Sequence, residues 1–212
     1  MLPELAFRHR GVMEGRFLRL EPLEERHAAA LVGVAADPEV FRHLRYGPLD
    51  TAERMAEHIR QLNARRDAGT DLPFAMVRRA DGVPIGMTRY LEIDRANAGV
   101  EVGGTWMPKA LWGTIVNPES KRLMLGRAFD DEGAIRVQIK TDLRNLRSQR
   151  AIEKLGAVRE GVLRDQVIMP DGYIRSSVYY SILRREWPMV RERLDRRIQA
   201  APLPEGPDPP RG

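Results

Sequence analysis

The sequence predicts an α+β domain in which a mostly antiparallel, twisted mixed sheet of about seven strands carries helices on both faces. Three observations carry this reading. Short runs with strand-like patterning recur at 16–22, 74–78, 85–93, 100–106, 136–141, 158–163 and 173–183. Segments of helical period lie between them, at 24–36, 51–68, 118–132, 146–155 and 186–198. Turn residues fold some neighbouring runs into hairpins, whereas a helix separates 100–106 from 136–141, as one central β-α-β crossover requires.

Each element has a local reason. Residues 16–22 alternate and form the first strand. The Ala/Leu-rich stretch 24–36 is helical, and Asp37-Pro38 opens a second short helix. Thr51 caps a longer helix that aligns Met55, Ile59 and Leu62 on one face. Asp81-Gly82 supplies the turn between 74–78 and 85–93. In the strand 100–106, the adjacent Gly103 and Gly104 predict a bulge or a close backbone approach. Gly156 stops the helix that begins near Leu146. Met169-Pro-Asp-Gly172 turns the chain between the last two strands. The final strand, with Val178-Tyr179-Tyr180, fits either pairing across a homodimer or a central place in one chain's sheet. Residues 1–13 read as an N-terminal extension, 14–199 as one domain, and 200–212 as a disordered Pro-rich tail.

Composition narrows the function. The 212-residue chain can bury a substantial core, and 42% hydrophobic residues are too many for a disordered protein. The absence of Cys removes disulfides, thiolate metal sites and a cysteine nucleophile together. His9, His27, His43 and His58 form no pair at ligand spacing, so no metal is expected. No apolar run approaches a membrane span, and the N-terminus lacks a secretion-signal core, which predicts a soluble, cytoplasmic protein. The net charge of +5 is unevenly spread: residues 1–106 hold 15 basic and 16 acidic residues, residues 107–212 hold 20 and 14. Such a basic half suits a nucleic-acid face or a polyphosphate cofactor.

Two segments can carry chemistry. In Trp112-Gly-Thr-Ile-Val-Asn-Pro-Glu-Ser-Lys121, Asn117 suits an N-cap and Pro118 the first helical position. A helix start attracts phosphate through its free N–H groups and dipole, with Lys121 and Arg122 near; the same residues also serve an ordinary capped helix. In the second segment, the strand at 136–141 ends in a polar turn and a basic helix. Asn145 and Ser148 there share one side of the first turn, and Arg144, Arg147 and Arg150 add charge. Asn145 reads as a cap or a ligand contact, and the arginines as a solvated face or a phosphate site.

Taken together, these segments resemble the GCN5-related N-acetyltransferases (GNAT), and most closely the branch of ribosomal-protein N-terminal acetyltransferases. The resemblance rests on Gly-Thr-Trp ending at Trp106, Trp-Gly-Thr-x-Val-Asn-x-Glu-Ser-Lys from Trp112, and Arg-Val-x-x-Lys-Thr-Asp-x-Arg-Asn-x-Arg-Ser-x-x-Ala-Ile-Glu-Lys-Leu-Gly from Arg136. Gly-Arg-Phe-Leu-Arg-Leu-Glu-Pro-Leu from Gly15 and Tyr-Tyr-Ser-Ile-Leu-x-x-Glu-Trp-Pro from Tyr179 extend it over about 14–198.

This resemblance implies a GNAT-like fold, acetyl-CoA as donor, and a cofactor site of Thr105, Trp106, Trp112, Gly113, Thr114, Asn117, Ser120, Lys121, Asn145 and Arg147. It implies Ser148 as proton donor to the leaving thiolate, because Ile152 stands where many members carry a Tyr. The wider family's glycines are also replaced, by Ile115 and Asn117. Glu101 is the candidate base that deprotonates the acceptor amine through water. Asp142 orients the turn or caps, and His43 and Tyr46 line the acceptor cleft. The expected activity is direct acetyl transfer to a primary amine, either a protein N-terminus, such as a ribosomal protein's, or a small amine. An acyl-CoA sensor without turnover and an RNA- or ribosome-binding module are the alternatives. The low aromatic content, 6%, disfavours a single-strand RNA platform.

Overall fold

The computed structural model describes Phe7 and residues 11–202. Most of the N-terminal extension and the tail from 203 onward lie outside the described residues. The strands are β1 (Met13–Glu14), β2 (Leu18–Pro22), β3 (Leu72–Arg78), β4 (Pro84–Asp94), β5 (Gly99–Trp106), β6 (Arg136–Asp142), β7 (Val158–Ile168) and β8 (Ile174–Leu183). The helices are α1 (Ala28–Val34), α2 (Ala52–Asp67), α3 (Val116–Gly126), α4 (Leu146–Leu155) and α5 (Trp187–Ala200). All eight strands form one sheet in the order β1-β2-β3-β4-β5-β6-β8-β7. Its eighth strand is the two-residue β1, too short to show a period of two.

Alternation along the strands divides the core between the two faces of the sheet. Leu72, Phe74 and Met76 join a cluster with Met124, Leu125, Ile152, Val190 and Leu194, so α3, α4 and α5 cover that face. Ala75 and Val77 point the other way, into a cluster with Leu31, Met55, Ile59 and Leu62 of α1 and α2. Thr51 caps α2 by accepting the Arg54 N–H, and Gly156 ends α4 in the left-handed conformation at φ 99°. The helix expected to run to Glu132 leaves α-geometry at Gly126 and continues as one wider π-type turn, Arg127–Asp131.

One cross-fold contact anchors α3. Glu119 is 2% exposed, and its carboxylate accepts the backbone N–H groups of Phe17 at 2.8 Å, Leu18 at 2.9 Å, and also Arg16. A buried carboxylate is tolerable when several donors satisfy it.

The sheet opens at its single parallel pairing. β5 and β6 are in register only at Gly99↔Arg136, Val100↔Val137 and Glu101↔Gln138. Beyond that point β6 stays zipped to β8 as far as Asp142↔Ser177, while β5 stays with β4. The partners Arg89↔Gly103 and Met87↔Trp106 give β5 one extra residue, so the predicted bulge lies at 103–106. Gly104 takes φ +58° within it. β8 is hydrogen-bonded on both edges, to β6 and β7, so it is the central strand of the two expected alternatives and has no edge left for a partner chain.

Candidate active site

The separation of β5 from β6 creates the site. Among the described residues no strand pairs with 102–106 of β5 on the side facing β6, although Val102 is fully buried and Trp106 is 3% exposed. Buried backbone groups require partners, so this edge is suited to an extended ligand bearing amides. A cavity of about 390 Å³ lies along it. Its walls include the β5 edge, the start of α3, one side of α4 and the 39–46 connection after α1.

At the α3 wall, Gly113, Thr114, Asn117 and Lys121 line the cavity. The helix begins at Val116, earlier than the sequence suggested, and Asn117 is inside its first turn rather than its cap. Pro118 therefore sits at the third helical position, where a missing N–H costs nothing. Thr114 stands before the helix: its hydroxyl donates to the Leu111 carbonyl at 2.7 Å and accepts the Val116 N–H at 3.4 Å. Ser120 does not join the site. It is fully buried, its hydroxyl donates to the Asn117 carbonyl at 2.9 Å, and it does not line the cavity.

Lys121 is 5% exposed, and its ammonium donates to Thr105 Oγ1 at 2.7 Å. That hydroxyl also bonds Thr88 Oγ1 at 2.8 Å. Among the described residues Lys121 has only this neutral partner, and burial pulls its pKa down to about 7. Trp112 packs against both core clusters and donates from its indole to the Met107 carbonyl at 3.2 Å. The Arg147 guanidinium stacks on its ring at 3.5 Å, which joins the loop before α3 to the first turn of α4.

Asn145 is the N-cap of α4: its Oδ1 accepts the Ser148 N–H at 3.0 Å. Asn145, Arg147 and Ser148 all line the cavity, so the cap and the contact readings of Asn145 are compatible. Asp142 is fully buried and organises the turn, accepting the Arg144 N–H at 2.8 Å and lying 3.4 Å from His43 Nδ1.

Glu101 is 3% exposed on the α1–α2 face of the sheet and lines the same cavity. Its Oε2 accepts from Gln138 Nε2 at 2.9 Å and pairs with Lys140 Nζ at 2.8 Å. Burial pushes the Glu101 carboxyl above the ordinary carboxylate range, against the downward pull of Lys140. Burial works to lower Lys140 in turn, but Glu101 and Glu92 outweigh it and hold it above the usual lysine value. Glu101 Oε1 rests over Gly103, where an added Cβ would lie 3.0 Å from it. Arg89 Nε lies against the next residue, 2.8 Å from where a Cβ on Gly104 would stand. The two glycines therefore leave room for a carboxylate and a guanidinium side by side.

Sequence reasoning missed Arg89 and Arg175. Arg89 pairs with Asp71 at 2.8 Å, yet among the described residues its Nε and His58 Nε2 are buried without a hydrogen-bond partner, and Trp106 Nε1 and Tyr46 Oη have at most each other. These four atoms belong to one neighbourhood: Tyr46 stacks on His58 with centroids 4.3 Å apart, and Phe41 lies between the Tyr46 and Trp106 rings. Tyr46, Arg89 and Trp106 line the cavity, and His43 does as well. Burial raises the Tyr46 hydroxyl to about 12 and holds the His58 imidazole down to about 4, so both are neutral near pH 7. No periodicity could flag this group, because β4, β5, α2 and a loop each contribute one member.

Among the described residues, no group of three or more His, Asp and Glu could hold a metal, and no helix is long and apolar enough to cross a membrane. A family model described as an acetyltransferase (GNAT) domain matches residues 18–158. A T. thermophilus protein proposed to be an acetyltransferase superposes with TM-score 0.82 at 40% identity, covering 91% of this chain and 99% of that one. A GCN5-related N-acetyltransferase from Brucella melitensis gives TM-score 0.85 at 26% identity, covering 94% and 89%. YdaF of Bacillus subtilis (strain 168), whose name proposes a ribosomal N-acetyltransferase, is 32% identical over 107 residues, which span 50% of this chain and 57% of that relative's length.

Proposed function

The chain belongs to the GCN5-related N-acetyltransferase family and is an N-acetyltransferase, and from that premise we propose that it moves an acetyl group from acetyl-CoA to a primary amine by direct attack. The observation that carries this is the open edge of β5 at 102–106, flanked by a phosphate-suited helix start on one side and Glu101 on the other. When bound, acetyl-CoA supplies an activated acyl carbonyl and a thiolate leaving group. The edge of β5 is suited to its amide-bearing arm, and the helix start with Arg147 and Lys121 to its phosphates. The residues present fit the group, because the backbone edge that no strand of the described residues covers and the cations beside it are the complements of its amides and charges.

Glu101 is the candidate base. Its raised pKa suits a carboxylate that accepts a proton, through water, from an amine whose own pKa lies near 8. Lys140 and Gln138 fix the carboxylate while Oε1 faces Gly103. Ser148 is the hydroxyl available to stabilise the departing sulfur, and Ile152, 5% exposed, offers no phenol for that task. With no Cys in the chain, no thioester to the enzyme intervenes. The acceptor is a protein N-terminus, for which the name of YdaF suggests ribosomal proteins, or a small amine.

A thermal-shift titration tests the reading: acetyl-CoA at millimolar concentration raises the melting temperature, and thiol release follows when a reactive amine is added. No thermal shift at that concentration overturns it.

A further inference from the structure

Building on the acetyltransferase reading, we propose that the acceptor is an amine that itself carries a negative charge, and that Arg175 together with Arg45 receives that charge. Among the described residues the cavity is lined by nine Arg and Lys side chains but only two carboxylates, Glu39 and Glu101. Several of those cations lie on α3 and α4, where the donor's phosphates account for them. Arg175 and Arg45 lie elsewhere. Along β8, Val178, Tyr180 and Ile182 enter the core beneath α3–α5, so Arg175, in step with Ser177 and Tyr179, projects from the opposite face. Arg45 belongs to the connection between α1 and α2, which closes that same face.

Arg175 is only 5% exposed yet reaches the cavity wall. Its Nε donates to Ser177 Oγ at 3.0 Å and one Nη to the His43 carbonyl at 3.1 Å, both neutral partners. Among the described residues no carboxylate lies within 4.0 Å of it. Asp142 is the carboxylate that acts on it most, but Asp142 is engaged by the Arg144 N–H and by His43. Burial lowers the Arg175 pKa, and the neighbouring Arg45 charge adds to the lowering. A nearly enclosed guanidinium beside a second one is costly unless an anion joins them. Glu101 is also within electrostatic reach of Arg175, on the same face. The site can therefore hold an amine at Glu101 and an anionic group at Arg175. The second charge of a polycation finds no such complement, because Glu39, the other carboxylate of the cavity among the described residues, is bonded to Arg42.

The experiment is acetyl transfer, read as thiol release, to matched amines: aspartate against asparagine and 1,3-diaminopropane, and the tripeptide Ser-Asp-Asp against Ser-Asn-Asn and Ser-Lys-Lys. In at least one series the anionic member is preferred tenfold or more in kcat/KM; which series responds tells a free acid from an acidic peptide N-terminus. In Arg45→Ala, a surface change, and in the conservative Arg175→Lys, that preference shrinks to threefold or less through KM of the anionic member. Equal use of the members, preference for the cationic ones, or a preference that survives both substitutions overturns the proposal while leaving the transferase reading intact. Should none of these amines react, thermal protection by 10 mM succinate decides the subsite. Protection lost in Arg45→Ala but kept in Arg150→Ala supports it; no protection, or equal protection in all forms, overturns it.

Discussion

The two walls of the cavity are built on different principles. The wall of α3 and α4 takes its groups from two short contiguous segments, and several stand on helix first turns: Asn117, Asn145, Arg147 and Ser148. Its groups are held by simple devices, the Asn145 cap on the Ser148 N–H within one turn and the Arg147 guanidinium over Trp112 between the two segments. The wall under α1 and α2 is assembled from strands far apart in the chain, and its polar groups are buried in pairs or, among the described residues, without a hydrogen-bond partner. Local devices give tolerance, because one side chain can be lost while the helix start remains. Convergent burial gives selectivity, because each member's environment depends on the others.

Four measurements test that contrast. The largest effect is expected at Glu101→Gln, which keeps the hydrogen bond to Gln138 and removes the base: kcat falls by roughly 10² to 10³. The rise of wild-type activity with pH, through a pKa above the usual carboxylate range, is lost with it. Lys121→Met is the next. The folded pKa of Lys121, about 7, lies below its unfolded value, so the unfolded chain binds the extra proton between about pH 7 and 10 and wild-type stability climbs with pH there. The variant lacks that climb and is more stable at pH 7 by about 1–4 kcal/mol in urea melts, while binding acetyl-CoA about tenfold more weakly.

His58 gives a test on the other wall. Its imidazole, lowered mainly by burial to about 4, stays neutral where the unfolded chain protonates near 6.5. Stability is therefore full above pH 6.5 and declines by up to about 3 kcal/mol as the pH falls to 4. His58→Gln flattens that decline in denaturant melts at pH 7.5 and 5. The smallest change is Ser148→Ala, about tenfold in kcat, because a thiolate leaves with little help from an acid. Unchanged turnover in both Glu101→Gln and Ser148→Ala would remove these two residues from the mechanism.

The same contrast explains what the sequence made legible. Strand period, the Asp81-Gly82 turn, the Thr51 cap and the Gly156 stop are local, and each stands where its residues implied. The paired Gly103 and Gly104 pointed to the bulge because two adjacent glycines in a strand mark a special backbone or a crowded Cα, and here Gly104 takes φ +58° while Glu101 and Arg89 press on the two positions. The α3 start was misjudged because Asn117 and Pro118 are acceptable both at a cap and inside a first turn. Ser120 looked like a site residue by its place in a motif, but the helix turns its hydroxyl toward its own backbone. Arg89, Arg175 and the Lys140–Glu101 pair follow from strand register, which no single segment encodes.

The carboxylate of Glu119 also sets a timetable. It satisfies the N–H groups of residues 16–18 from about a hundred positions downstream. During synthesis residues 16–18 emerge long before that partner exists, so these backbone donors stay with water until α3 has left the ribosome. Closing so long a loop places this contact among the late, non-local ones that slow folding. The segment that leads into β2 is thus made well before the residue that secures it.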